Sequence, residues 1–213
     1  MNMTEDEQIA QIKEWWQRNG KPLVTGGILA LILVFGWQAW QNYRANQTQG
    51  ASMLYQQLLE SALDPQGQVN AARVVELASR LKSDYAGSHY AQYGSLFVAK
   101  VAVESGKLDD AAAELRGVLA DPADSELDEL ARQRLARVLA AQDKAEEGLA
   151  LLEGEAQPAF LSGREEIKGD LLVQLGRTGD ARAAYEKARA ALSDNAAAGE
   201  LQIKLDDLAN GGV

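Results

Sequence analysis

Apolar and polar positions divide the chain into three regimes. Ile9, Ile12 and Trp16 recur at helical spacing in an otherwise polar stretch, which predicts a short amphipathic helix over residues 4–20. Thr4 is its candidate N-cap, and Glu7 three positions on completes a capping box. The segment Leu23-Val-Thr-Gly-Gly-Ile-Leu-Ala-Leu-Ile-Leu-Val-Phe-Gly-Trp37, followed by Gln38, Ala39 and Trp40, is apolar almost throughout. No charged residue occurs between Lys21 and Arg44. About 20 apolar residues at 1.5 Å each cross a hydrocarbon core of ~30 Å, so this regime predicts a transmembrane helix. Beyond Arg44, alanine, leucine, glutamate, arginine and lysine dominate, and Pro65, Pro122 and Pro158 fall between helical patterns, where breakers belong. The expected fold is all-α. Residues 1–21 form an amphipathic segment, 22–43 a transmembrane helix and 44–213 a helical repeat domain.

The flanks of the apolar run sharpen the membrane reading. Trp15 and Trp16 precede it, and Trp37, Trp40 and Tyr43 close it, so the chain's four tryptophans all stand at its two ends. Indole rings favour the headgroup level. Lys13, Arg18 and Lys21 flank one side and only Arg44 the other, which puts the amino terminus in the cytoplasm by the positive-inside rule. A cleaved signal peptide is the rival reading. Against it, the run is long and Trp37-Gln38-Ala39-Trp40-Gln41 offers no small-x-small cleavage site. Gly26, Gly27 and Ala30 form a small-residue face that would let another helix approach; ordinary glycine tolerance in membrane helices explains the same residues.

Charge and composition then narrow the function. The net charge is −10, and because Glu5, Asp6, Glu7 and Glu14 balance Lys13, Arg18, Lys21 and Arg44, the whole surplus of acid lies beyond residue 44. An acidic soluble part argues against nucleic acid as a partner. There is no cysteine, hence no disulfide framework and no thiolate chemistry. The single histidine, His89, stands in a loop-like stretch beside Tyr85 and Tyr90, without a Gly-x-Ser-x-Gly or phosphate-loop signature elsewhere. The paired acids Asp109-Asp110 and Glu165-Glu166 are placed at helix starts, where they favour the dipole. No cofactor or metal and no enzymatic activity is expected.

Three stretches repeat one spacing: a small residue, a second small residue twelve positions later, and a large apolar residue four further on. They are Ala99, Ala111 and Leu115; Ala136, Gly148 and Leu152; and Gly169, Ala181 and Tyr185. Small residues at both positions allow the two helices of a hairpin to cross closely, and the large residue fills the gap to the next hairpin. Gly106 and Gly176 mark the turns of the first and third repeats; the middle turn lacks its glycine around Asp143. Ser52–Leu63 and Gln68–Leu81 predict a divergent hairpin carrying Ala71, Val75 and Ala78, and Asn195–Leu208 predicts a capping helix. Gly176-Arg-Thr-Gly-Asp-Ala181-Arg-Ala-Ala-Tyr185-Glu-Lys-Ala188 resembles the second helix of a tetratricopeptide repeat (TPR), and Val101–Ala111 is a second match. The expectation is an α-solenoid of about four hairpins and a cap.

Such arrays leave a concave face lined by the first helix of each hairpin. Here it should carry Tyr93, Leu96, Lys100, Val103, Gln133, Arg137, Asp170 and Gln174, although Leu96 and Val103 equally suit the core. The layout as a whole resembles the YfgM family of ancillary SecYEG translocon subunits, locally at Ser83-Asp-Tyr-Ala-Gly-Ser-His-Tyr-Ala91 and Leu201-Gln-Ile-Lys-Leu-Asp-Asp-Leu208. That resemblance implies a single-pass bacterial inner-membrane protein with periplasmic repeats. Its implied partners are the SecYEG translocon, a PpiD-like membrane-anchored chaperone, newly exported unfolded polypeptides and membrane lipid. A scaffold for another envelope complex, in cell division or outer-membrane assembly, is the alternative.

Overall fold

In the computed structural model, residues 5–63, 70–192 and 198–210 are described. Thr4, Pro65, Gln68 and Asn195, and with them the capping box and the starts of two expected helices, lie outside these residues. Helix α1 runs from Glu5 to Ala62. The expected amphipathic segment, membrane helix and first repeat helix are therefore one continuous element. Pro22 lies inside it, and the Thr25 hydroxyl donates to the carbonyls of Lys21 and Pro22, each at 3.0 Å. The chain divides into two units, Met1–Gly50 and Ala51–Val213.

The first unit holds a helix long and apolar enough to cross a membrane, and none of its apolar window is buried in the protein. The Trp16 indole lies over Gly20, and Ile9, Ile12 and Trp16 are all exposed. At the other end the Trp37 and Trp40 rings pack 5.1 Å apart. The Arg44 guanidinium stands 4.1 Å above Trp40, a cation–π contact that holds the charge beside the apolar run. Nothing lies within 4 Å of a side chain built at Gly26 or Gly27, so this small-residue face is open.

The second unit stacks helical hairpins. The end of α1 pairs with α2 (Ala71–Asp84), α3 (His89–Glu104) with α4 (Leu108–Ala120), α5 (Ser125–Ala141) with the short α6 (Ala145–Leu151), and α7 (Leu161–Gln174) with α8 (Thr178–Ala190). Helix α9 (Ala198–Asn210) closes the array. A 3-10 turn, Pro158–Phe160, leads into α7. The structure is all-α among the described residues: four hairpins and a cap.

The repeat spacing predicts the packing. Ala99, Ala111, Leu115, Ala136, Leu152, Ala181 and Tyr185 are all 3% exposed or less, and Gly148 and Gly169 are buried within their helices. A Cβ added at Gly148 would stand 3.0 Å from the Ala136 carbonyl oxygen, which is why that crossing needs a glycine. In the first hairpin the buried face of α2 is Val74, Leu77, Ala78 and Leu81. Val75, expected on it, is 45% exposed, because one residue advances a helix by about 100° and turns the side chain off the stripe.

Three turns close with the same hydrogen bonds. Lys107, Lys144 and Arg177 each donate a backbone N–H at 2.8 Å to the carbonyl five residues back, on Ala102, Leu139 and Leu172. Gly106, Asp143 and Gly176 donate to Val103, Ala140 and Val173 at 2.9–3.0 Å. This is a Schellman termination, which needs a left-handed residue. Gly106, Gly176 and Asp143 supply it with φ of 73°, 72° and 60°. The middle turn thus keeps the geometry without the glycine, and the left-handed aspartate carries a steric cost. Asp143→Gly is expected to raise stability by about 0.5–1 kcal/mol, read as a higher urea midpoint at unchanged slope.

Helix α9 is held by charge as well as apolar contact. Leu201 and Leu205 pack with Tyr185 and Ala188. Lys204 Nζ stands 2.7 Å from both Glu166 and Asp170 and 5.5 Å over the Tyr185 ring. Burial alone would lower the Lys204 pKa, but Asp170 and Glu166 hold it above the ordinary lysine value. Lys204→Met is expected to remove about 1 kcal/mol from the docking of α9, since these pairs are only partly shielded. Faster amide exchange confined to α9 would be the signature.

Candidate partner-binding groove

Helices α3 and α5 are first helices of adjacent hairpins, and between them runs a groove of about 400 Å³. Its floor and walls are apolar: Leu96, Ala99 and Val103 from α3, Leu108 and Leu115 from α4, Val138 and Ala141 from α5. Lys100, Glu104, Arg134 and Arg137 stand at its edge. Lys100 is paired with Glu104 at 2.6 Å. Beside the groove, an aromatic shelf brings Tyr55 from the end of α1 within 5.3 Å of Tyr90, 5.9 Å of Tyr93 and 6.2 Å of Phe97, between ring centroids. Burial and the neighbouring Tyr93 and Tyr90 push the Tyr55 phenol above its ordinary pKa, and Arg134 acts in the opposite direction.

Of the eight side chains expected on the concave face, the structure places Leu96, Lys100, Val103 and Arg137 together in this groove. Leu96 is 3% exposed and belongs to its floor, whereas Val103 is 42% exposed. Tyr93 joins the aromatic shelf. The other three lie elsewhere. Gln133 is buried between α5 and α7, donating to Glu129 at 2.9 Å and to the Phe160 carbonyl at 3.2 Å. It follows Arg132 on α5 but faces the next hairpin, 100° away from its neighbours. Asp170 faces α8 and α9, accepting from the Tyr185 hydroxyl and from Lys204, each at 2.7 Å. Gln174 ties α7 to the end of α5 by donating to the Ala140 carbonyl at 3.0 Å. Tyr55, Phe97 and Arg134 were not expected. The spacing Tyr90-x-x-Tyr93-x-x-x-Phe97 and the pair Arg134-x-x-Arg137 are the signals that mark them, because each sets its residues on one helix face.

One acid pair and the histidine differ from expectation. Asp109 and Asp110 do occupy the first turn of α4. Glu165 and Glu166 stand a turn inside α7, because the 3-10 turn at Pro158–Phe160 starts the helical path early. Glu165 is buried against Lys168 at 2.7 Å, and Glu166 holds Lys204. His89 opens α3 rather than lying in a loop, with Nδ1 3.3 Å from Asp124. Among the described residues no three histidine or acidic side chains converge as a metal site.

Beneath the α5–α7 joint lies a buried ion pair. Arg164 donates from Nε to Glu129 at 2.8 Å and from Nη2 to the second carboxylate oxygen. Arg164 Nη1 reaches the carbonyls of Leu152, Glu153 and Gly154 at 3.5, 3.4 and 3.2 Å, fastening the loop after α6. Burial would raise the Glu129 carboxyl, but the bonds from Arg164 and Gln133 more than offset it and hold its pKa below the ordinary carboxylate value.

Stacked hairpins with Schellman turns, small-residue crossings and a groove between first helices define a tetratricopeptide repeat-like protein, and the family described as Tetratricopeptide repeat-like domain matches residues 13–210. Relatives match the chain over most of its length. An ancillary SecYEG translocon subunit of Neisseria gonorrhoeae is 31% identical, over 97% of this chain and 98% of that protein. One from Escherichia coli is 28% identical over 96% of each, and one from Haemophilus influenzae 28% over 88% and 90%. The chain belongs to this family of ancillary SecYEG translocon subunits. No solved structure matches it.

Proposed function

We propose that this protein is a single-pass, non-catalytic ancillary subunit of the SecYEG translocon, with its amino terminus in the cytoplasm and its repeats in the periplasm. The observation that carries this reading is a near full-length match to subunits of that name joined to an unburied apolar helix. The amphipathic start occupies residues 1–21, the anchor 22–43 and the repeat domain 44–213. Lys13, Arg18 and Lys21 against the lone Arg44 favour the orientation. Through its concave face the domain works with a PpiD-like chaperone on newly exported polypeptides, using Tyr93, Leu96, Lys100, Val103 and Arg137. Gly26, Gly27 and Ala30 are the helix face offered to a neighbour in the membrane.

Photocrosslinking in intact cells from positions 93, 100 and 137 of the full chain tests the reading. Adducts with SecY, SecE or SecG and with the chaperone are expected. Recovery of neither would end it, and adducts with a division or outer-membrane assembly complex would replace it. A carboxy-terminal alkaline phosphatase fusion, active only outside the cytoplasm, is expected to be active; an inactive one would reverse the orientation.

A further inference from the structure

The groove between α3 and α5 carries an electrostatic anomaly. The chain has a net charge of −10, yet the ionised groups at this groove are three bases and one acid, namely Lys100, Arg134, Arg137 and Glu104. The acid is taken by Lys100. Neither Arg134 nor Arg137 forms an ion pair among the described residues, although acids outnumber bases in the chain. The two lie three apart on one face of α5, an arrangement that opposes folding of the helix by like-charge repulsion. Arg134 is half-buried, and both burial and Arg137 lower its pKa. Arg134 thus meets an apolar wall and another cation, while Arg137 is exposed beside it, and a carboxylate from outside would offset both charges.

We propose that this groove receives a segment of a partner protein that pairs a large apolar side chain with a carboxylate. The apolar side chain enters the slot walled by Leu96, Val103 and Leu115. The carboxylate docks on Arg134 and Arg137, whose planar donors suit bidentate binding. Charge complementarity selects an acidic occupant, and the slot selects one with a protruding aliphatic or aromatic group. The aromatic shelf of Tyr55, Tyr90, Tyr93 and Phe97 extends the same face for further residues of the segment. This rests on the reading of the domain as a partner-binding module and adds the chemistry of the partner.

The test uses the full chain in detergent micelles and a fluorescein-labelled peptide of repeated Leu-Glu-Ala-Ala units, with its glutamine counterpart as comparator. The glutamate peptide is expected to bind at least about tenfold more tightly, as charge-assisted hydrogen bonds are the stronger ones, and to weaken with added salt. The double variant Arg134→Met with Arg137→Met is expected to abolish the difference, while Arg80→Met with Arg116→Met preserves it. Val103→Arg, a change at an exposed slot residue, is expected to block both peptides. Equal binding of the two peptides by the parent chain overturns the proposal. So does a difference that survives in the Arg134 and Arg137 variant, or unimpaired binding by Val103→Arg. Co-purification of SecYEG with the parent chain reads the translocon association separately: discrimination without SecYEG removes only that reading, and SecYEG without discrimination removes only this proposal.

Discussion

Glu129→Ala is expected to destabilise the repeat domain by about 3–5 kcal/mol, the range for removing one partner of a buried ion pair. Glu129 and Arg164 side chains are only 6% and 5% exposed. Without the carboxylate, the guanidinium is left in the interior with three loop carbonyls as its remaining partners. The loop after α6 and the α5–α7 joint should loosen together. Replacing both partners, Glu129→Leu with Arg164→Met, removes the stranded charge and is expected to restore much of the loss, so the double-mutant cycle shows strong coupling. Acid probes the same pair. The folded-state pKa of Glu129 is depressed below the ordinary carboxylate value, so its contribution is fully present above the unfolded value and is lost as pH falls through the folded one. Urea melts at neutral pH and in acid should therefore separate the parent, which loses this contribution, from the doubly apolar variant, which has none to lose. Equal acid sensitivity would show that Glu129 does not carry it.

The second large effect is at Gly169. A Cβ there would stand 2.2, 2.4 and 2.8 Å from Cε1, Cδ1 and Cζ of Tyr185. Alanine in a helix interior is ordinarily better than glycine by about 1 kcal/mol, so propensity and packing oppose each other. Packing wins. Tyr185 is 3% exposed, and its hydroxyl is bonded to Asp170 at 2.7 Å. The ring cannot retreat without giving up that bond, and overpacking costs about 1–3 kcal/mol. Gly169→Ala is expected to lose about 2 kcal/mol, and Gly169→Leu more, by thermal or urea melting. Tyr185→Leu should partly relieve Gly169→Ala, making the double change less than additive. A Gly169→Leu chain that melts like the parent would refute the register.

The register was legible because hairpin crossings demand small residues at fixed intervals, a demand visible in Ala99, Ala111, Gly148, Gly169 and Ala181. The Schellman turns were half legible: two use glycine, while Asp143 reaches the same φ by bearing strain that composition does not reveal. The joining of α1 into one helix was not legible. No breaker separates Arg44 from Ser52 except Gly50, but neither does any periodic stripe declare a helix there. Lys100, Val103 and Arg137 line the groove, whereas Gln133 and Asp170 are engaged elsewhere. Periodicity places a residue on a face but does not say which neighbour covers that face. Gln133 reaches the Phe160 carbonyl ahead of α7, and Asp170 meets Tyr185 of α8 and Lys204 of α9, partners that only the fold brings near.

Helix α1 also bears on how the protein can be removed from a membrane. Proteases cut most readily at exposed loops and linkers, and many surface proteins are released by a cut just outside the bilayer. Here the backbone is helical from the apolar run to Ala62, and Ala51, Leu54 and Leu58 are already core residues. A cut between Arg44 and Gly50 requires the helix to unwind first, and any later cut takes core residues with it. Shedding a working domain has no ready site in this stretch, so retention and the integrity of the first hairpin are a single property of the chain.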